Sequence, residues 1–259
     1  MKIVLDNVQK TYGKKQVVKR ASLSVSQGEV VGLLGPNGAG KTTTFYMAVG
    51  LEKPTNGQVW LDDRDITKLS IHQRARLGIG YLAQEASIFR QLTVLENLLL
   101  VMEQSGVPRK EWKHRLEKLI SEFSLYKVVH TLGGQVSGGE RRRTELARAL
   151  AAGYDGPSFL LLDEPFAGVD PIAVAEIQKI IAGLTDRNMG ILITDHNVRE
   201  TLAITDRAYI MREGEVLASG TTEEMYGNPL VRQYYLGDSF QWDGKIDHAR
   251  EEKMAPVAK

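Results

Sequence analysis

"GPNGAGKT", residues 35–42, follows the uninterrupted apolar run "EVVGLLG" (29–35), and the two together decide the fold class. A short apolar run without alternation is the pattern of a strand buried on both faces, as in a parallel sheet covered by helices. The loop after it has Gly35 and Gly40 with four residues between them, then Lys41 and Thr42, which matches a phosphate-binding loop. The chemistry explains the residue types. Bare backbone N–H groups must wrap phosphate oxygens, and side chains at Gly35, Gly38 and Gly40 would obstruct the approach. Pro36, Asn37 and Ala39 complete the cradle, and Thr43 follows it into a helix expected to start near Gly40 with its positive end on the anion. Lys41 would reach the β- and γ-phosphates, and the Thr42 hydroxyl would face magnesium.

Outward from the loop, similar runs recur at "SFLLLD" (158–163) and "GILIT" (190–194), with helix-like segments at 41–50, 171–187 and 197–204. That is the rhythm of a parallel α/β core. The first sixty residues alternate instead, with Ala21, Leu23 and Val25 on one strand face and Val59 and Leu61 on another, so a small antiparallel sheet is expected there. Over about 85–155, Trp112, Leu116, Leu119, Ile120 and Phe123 recur at helical spacing between charges, which reads as a helical insertion with an amphipathic helix over 110–126. "EGEVLASGT" (213–221) reads as a closing strand pair. Residues 1–240 then form one domain, and the polar stretch 241–259 is expected to be a mobile tail.

Composition narrows the function classes. With 33 Lys and Arg against 32 acids among 259 residues, no global field favours nucleic acid or an anionic membrane, and none is expected as a partner. The absence of cysteine excludes disulfides and thiolate metal sites and fits a reducing compartment. No apolar run approaches the roughly 18 residues of a membrane-spanning helix, and "MKIVLDNVQK" lacks the apolar stretch of a signal peptide. A cytoplasmic location without direct membrane insertion is expected.

Two other strands end in chemistry. "LLLDE" places Asp163 and Glu164 at a strand's carboxyl edge, where ligands sit in open α/β sheets. Adjacent carboxylates repel unless a cation lies near them, so Asp163 is assigned to the magnesium shell and Glu164 to orienting and deprotonating an attacking water. An acid pair at a helix N-terminus before Pro165 is the alternative. "ITDH" puts His196 at the same edge, where an imidazole would bond a γ-phosphate.

"QVSGGERRRTELARAL" (135–150) opens a helix with Ser137 as N-cap and Glu140 at N3, a capping box. Capping leaves Gly138 and Gly139 unexplained, since each costs about 1 kcal/mol relative to alanine within a helix. A close approach is expected there, and a helix terminus that exposes N–H groups is an anion site. One nucleotide held at residues 35–42 has no obvious use for a second terminus of the same domain, so a two-fold dimer is expected, with each Ser137 helix facing the other chain's phosphate. Arg141, Arg142 and Arg143 read as a solvated helix face.

These motifs together resemble the ATP-binding cassette (ABC) ATPases over nearly all of residues 1–240. The resemblance implies an α/β P-loop NTPase core with a mostly parallel sheet, an antiparallel β-subdomain and a helical subdomain insertion, two ATP molecules with magnesium in a sandwich homodimer, and ATP hydrolysis coupled to transport. "VSGGE" is similar to the family's signature sequence, with Val136 where leucine is commoner and Glu140 where glutamine is frequent. Tyr12 in "KTYGKKQ" matches the aromatic that stacks on adenine. Gln84 in "YLAQE" matches the glutamine that joins core to helical subdomain and contacts magnesium and water, although Ala83 stands where proline is common. Asp170 in "FAGVD" matches the loop that crosses the dimer interface. Integral membrane permease subunits would then dock near residues 84–98, with Phe89 as an apolar wall, and hold the ATPase on the cytoplasmic face of the inner membrane. "EASIFRQLTVLENL" (85–98), "TDHNVRETLA" (194–203) and "YLGDSF" (235–240) are most similar to ATPase subunits of lipopolysaccharide exporters; those of branched-chain amino-acid importers, and ABC ATPases outside transport, are the alternatives.

Overall fold

β3 (Val30–Leu34) is buried at every position, and the rest of the sheet is arranged about it. In the computed structural model, which describes residues 1–153 and 156–237, the other strands are β1 (Lys2–Tyr12), β2 (Lys15–Ser26), β4 (Asn56–Leu61), β5 (Arg64–Asp65), β6 (Ile79–Leu82), β7 (Phe159–Asp163), β8 (Gly190–Thr194), β9 (Arg207–Arg212) and β10 (Glu215–Thr221). They form one sheet in the order β5-β4-β1-β2-β10-β9-β3-β8-β7-β6. From β9 to β6 every pairing is parallel, whereas β1, β2, β4 and β5 pair antiparallel. The fold is α/β with a parallel core and an antiparallel flank. The expected tail, residues 241–259, lies outside the described residues.

The α-helices of five or more residues are α1 (Lys41–Val49), α2 (Ile71–Ala75), α3 (Val94–Gln104), α4 (Arg109–Glu122), α5 (Gly138–Ala151), α6 (Pro171–Leu184), α7 (Val198–Leu202) and α8 (Thr222–Gly227). Strand alternation assigns them to two cores. Phe159 and Leu161 of β7 pack with Phe45 and Met47 of α1 and with the inward residues of β1 and β2. Leu160 and Leu162 point the other way, into a core with Leu98 of α3, Leu119 of α4, Leu146 of α5 and Ile177 of α6. Thus α1 is enclosed between the parallel and antiparallel parts of the sheet, and the remaining long helices cover the opposite face.

Three sequence expectations are corrected. The closing strand pair is β9 with β10, so 213–221 holds only the turn and the second strand; Glu213 and Gly214, both at positive φ, make that turn. The helix expected over 110–126 ends at Glu122, because Ser124 takes a left-handed conformation and 126–128 forms a separate short turn. No helix follows Pro165 directly, since the next begins at Pro171. The acid pair therefore does not sit at a helix start.

One buried cation ties the flank to α1. Arg74 is fully buried, and its guanidinium donates to the carbonyls of Met47 and Ala48 at 2.7 and 2.6 Å and of Ile66 at 2.8 Å. The first two are last-turn carbonyls of α1, the negative end of the helix. Burial pushes the Arg74 pKa down to about 10, so the charge is held by carbonyl dipoles in place of water. Removing it leaves those acceptors buried and unpaired. Arg74→Met is expected to cost about 3 kcal/mol of unfolding free energy, read as a melting temperature lower by about 10 °C.

Candidate functional site

Four parallel strands deliver their carboxyl ends to one edge of the sheet. β3 leads into residues 35–40, β7 ends at Asp163 before Glu164, β8 ends before Asp195 and His196, and β6 ends two residues before Gln84. The topology accounts for the placement, because parallel strands with helical returns put all their loops of one kind on one side.

Gly35 has φ 144°, and a Cβ there would overlap the Met211 carbonyl oxygen of β9. Only glycine lets the chain turn there against its neighbour. Gly40 is the N-cap of α1, with no side-chain cap bond, so the first N–H groups of α1 stay available. The Lys41 ammonium is buried and donates to the carbonyls of Gly35 and Pro36 at 2.7 and 3.0 Å. Burial lowers its pKa, and the neighbouring Glu164 charge opposes that. An anion in the loop would replace two weak carbonyl partners with a full negative charge. The cavity over the loop is about 450 Å³, within the usual range for small-ligand sites, and is lined by Lys15, Gln16, residues 37–43, His196 and Glu213. Residues 137–140 are not part of its lining.

Glu164 adopts φ 47°, a left-handed conformation uncommon outside glycine. Its Oε2 accepts from Gln84 Nε2 at 2.9 Å, and its Oε1 lies 2.6 Å from His196 Nε2. Three residues read separately from the sequence are thereby in direct contact. His196 is more than half exposed, and Glu164 is 12% exposed. Asp163 is buried instead, on the α1 side of β7, with Tyr46 of α1 turned to its carboxylate. Burial first and the Glu164 charge second raise its pKa to about 6. Its Oδ2 is buried without a hydrogen-bond partner. An orphaned anionic oxygen suits a hard cation, and the Thr42 hydroxyl and Gln84 amide oxygen are donors of the same oxygen type, the kind magnesium takes. Among the described residues no cluster of three or more His, Cys, Asp or Glu is placed to hold a metal.

The capping box of α5 is complete: Ser137 Oγ accepts from Glu140 N at 3.3 Å and the Glu140 carboxylate accepts from Ser137 N at 2.8 Å. Those bonds hold the Glu140 carboxyl below the usual carboxylate range. Half of the glycine question has an answer inside the chain. A Cβ at Gly139 would lie 2.6 Å from the Ala173 Cβ of α6, so the approach that requires Gly139 is helix to helix. At Gly138 only the Gly168 carbonyl oxygen comes near, at 3.3 Å. Asp170 is the N-cap of α6, accepting from Ile172 N and Ala173 N at 3.1 Å each. Tyr12 ends β1 and is 44% exposed, with its hydroxyl beside Glu52 and Thr43.

The arginine run is corrected most. Arg142 is 4% exposed and is no part of a solvated face. Its guanidinium donates to the carbonyls of Ala83 (2.8 Å), Asp163 (2.9 Å), Glu164 (2.8 Å) and Pro165 (3.1 Å) and to Glu145 Oε2 (3.2 Å). One side chain of α5 therefore fixes the backbone just before Gln84 and on either side of Glu164. Arg143 also turns inward, donating to the Phe123 carbonyl and pairing with Glu176. Glu145 accepts from Ser87 N and Ile88 N at 2.7 and 3.1 Å, and Arg148 donates to the Ser87 carbonyl at 2.6 Å and lies 5.0 Å from the Phe89 ring. Sequence reasoning passed over these residues. The available sign was phase: Arg142 stands four residues before Leu146 and eight before Leu150, on the buried stripe of α5.

Comparison with known proteins gives a consistent result. A profile described as ABC transporter matches residues 18–167. The lipopolysaccharide export system ATP-binding protein of Acidithiobacillus ferridurans is 56% identical over 232 residues, which is 90% of this chain and 95% of that protein. The protein of the same description from Escherichia coli K12 is 52% identical over 236 residues, 91% of this chain and 97% of that protein. Among solved structures, an ATP-binding cassette of an ABC transporter in its ADP conformation superposes with a TM-score of 0.80 at 27% identity, covering 92% of this chain and 100% of that one. A dimeric bacterial ABC transporter cassette gives 0.74 at 26% identity, covering 85% of this chain and 98% of that one.

Proposed function

The chain belongs to the ABC transporter ATP-binding family, an ATPase family that uses ATP with magnesium, and from that premise we propose that it powers export of lipopolysaccharide from the inner membrane. The observation that carries the catalytic part is the convergence of Gln84 and His196 on the Glu164 carboxylate beside the Lys41 cradle. The export part rests on similarity that runs nearly the full length of both chains, 92% of this one and 98% of the Haemophilus influenzae lipopolysaccharide export ATP-binding protein.

In this reading Tyr12 stacks on adenine, and the N–H groups of residues 37–43 wrap the phosphates. Lys41 leaves its two carbonyl partners for the β- and γ-phosphates. A magnesium ion held by Thr42, Asp163 and Gln84 would draw charge from the transferred phosphoryl oxygens. Glu164 takes the proton from the attacking water as its oxygen bonds to the γ-phosphorus, and the bond to the β-phosphate oxygen breaks to leave ADP. His196, within reach of both Glu164 and the cradle, bonds the γ-phosphate and holds the base in line. Arg142 is a positioning residue for Glu164 and Gln84, because it grips their backbone and touches no substrate. The site is completed by a second copy, whose residues 137–140 face the γ-phosphate while Asp170 lies at the subunit interface. No described helix is long and apolar enough to cross a membrane, and the membrane is reached through permease subunits.

The test is reconstitution with candidate membrane subunits in vesicles. ATP hydrolysis is expected to rise with subunits of a lipopolysaccharide exporter and to drive release of lipopolysaccharide from the vesicle. Stimulation by branched-chain importer subunits alone would overturn the export reading.

The docking surface follows from residues 84–98. Phe89 is 46% exposed with Arg148 against its ring, while its N–H and carbonyl are both bound by the Asn97 side chain. A large apolar side chain on so fixed a backbone has the character of an interface anchor. Phe89→Ala is expected to weaken association with the membrane subunits by about tenfold or more with an unchanged melting temperature, read by co-purification in detergent. Undiminished recovery of the complex would remove Phe89 from the interface.

A further inference from the structure

Lys10 stands two residues before Tyr12 on β1, on the same side of the strand. Its ammonium lies 4.9 Å from the centre of the Tyr12 ring, 2.6 Å from Glu52 Oε2 and 2.8 Å from the Lys53 carbonyl. The lysine side chain is only 15% exposed. Glu52 follows α1, and its N–H donates to the Tyr46 carbonyl in that helix at 3.1 Å. The ammonium is therefore anchored to the helix that begins at the phosphate loop, and it bears on the ring from there. At the same time the Tyr12 hydroxyl sits beside Glu52 and Thr43. The ring is held across one face and at its tip, and it remains 44% exposed.

We propose that Lys10 is a positioning residue for the base of ATP: it backs the Tyr12 ring, so that one face is occupied by a cation and the other is presented, already oriented, to adenine. The proposal rests on the reading of Tyr12 as the adenine-stacking residue. Two physical effects act together. A ring held in place before binding loses less freedom when the base arrives. A cation against one face draws on the ring's π-density, which favours stacking of an electron-rich purine on the other. A structural tie between β1 and α1 would do neither. Such a tie would be indifferent to whether the ligand carries a base.

That difference sets the experiment. Binding of ATP and of inorganic tripolyphosphate, each with magnesium, is measured by titration calorimetry on the full-length chain as wild type, Lys10→Met, Lys10→Arg and Tyr12→Ala. Tyr12→Ala is expected to weaken ATP about tenfold, the scale of one base–aromatic stack. Lys10→Met should weaken ATP about threefold to fivefold, Lys10→Arg should restore wild-type affinity by keeping a cation over the ring, and tripolyphosphate should bind all four proteins alike. If Tyr12→Ala weakens ATP while Lys10→Met binds it as wild type does, the proposal is wrong and the reading of Tyr12 stands. If Tyr12→Ala binds ATP as wild type does, the stacking role fails and the proposal falls with it. Equal weakening of ATP and tripolyphosphate by Lys10→Met would mean that the lysine merely holds β1 to α1, which also overturns it.

Discussion

Glu164→Gln is expected to bind MgATP with near wild-type affinity while hydrolysis falls by about a thousandfold, within the range that general-base catalysis supplies. The substitution keeps the shape of the side chain and the left-handed backbone that aims it. It also keeps one acceptor oxygen for the bond now made to Gln84 or His196. What it removes is the capacity to take a proton, since an amide oxygen is a far weaker base than a carboxylate. Arg142 holds the backbone at residue 164 through carbonyls alone, so the latch between α5 and β7 survives the change. With binding intact and turnover blocked, the nucleotide-bound dimer should accumulate. Phosphate release, nucleotide retention and size-exclusion elution read the three parts separately. Turnover at the wild-type rate would remove Glu164 from the chemistry. Loss of nucleotide binding would instead give it a place in the cradle.

How far the site was legible depended on whether its parts are local in sequence. Residues 35–42 declare themselves because a loop that wraps phosphate with its own N–H groups must place glycine, lysine and threonine at fixed short offsets. The strands were legible from their uniform burial: β3, β7 and β8 are buried at every position and read as continuous apolar runs. β9 begins and ends with arginine and was passed over, so both strands of the closing pair were sought within 213–221. Arg142 was misread because helix charges ordinarily face water. Its neutralising partners are Glu145 and four main-chain carbonyls drawn from β7, its following turn and the residue before Gln84, and carbonyls leave no trace in a one-letter sequence. Glu164 and His196 were placed at one sheet edge, but their contact with Gln84 was not legible, because only the sheet order brings the three strand ends together. Gly139 is instructive in the other direction. The expectation that something approaches it closely was sound, but Ala173 of the same chain is what approaches.

Ser137 is exposed and Gly138 has only the Gly168 carbonyl oxygen near it, and the proposed assignment of these residues to the other subunit's ATP predicts complementation. Lys41→Ala removes the ammonium from the cradle, and Ser137→Ala removes the N-cap hydroxyl from α5, so each pure homodimer carries a lesion in both composite sites. Neither should hydrolyse ATP well. In a mixed dimer the intact cradle of the Ser137→Ala chain faces the intact residues 137–140 of the Lys41→Ala chain, giving one whole site and one doubly damaged site. Random pairing makes half of the dimers mixed, each with one of two sites intact, so recovered activity should approach about a quarter of wild type in a two-fold assembly. Coupling between the sites would lower that figure without abolishing closure, so nucleotide-driven dimer formation is followed by cross-linking alongside phosphate release. The capping box gives the opposing expectation. If Ser137 only stabilises α5 through its bond to Glu140 N, its loss costs about 1 kcal/mol of helix stability, and the damage belongs to its own chain. Mixing could not then restore function to a cradle in another chain. Recovery of closure or hydrolysis where subunits demonstrably exchange supports the shared site. Failure of both under that condition leaves the cap as the whole reason for Ser137, and the phosphate would have to be completed from within one chain.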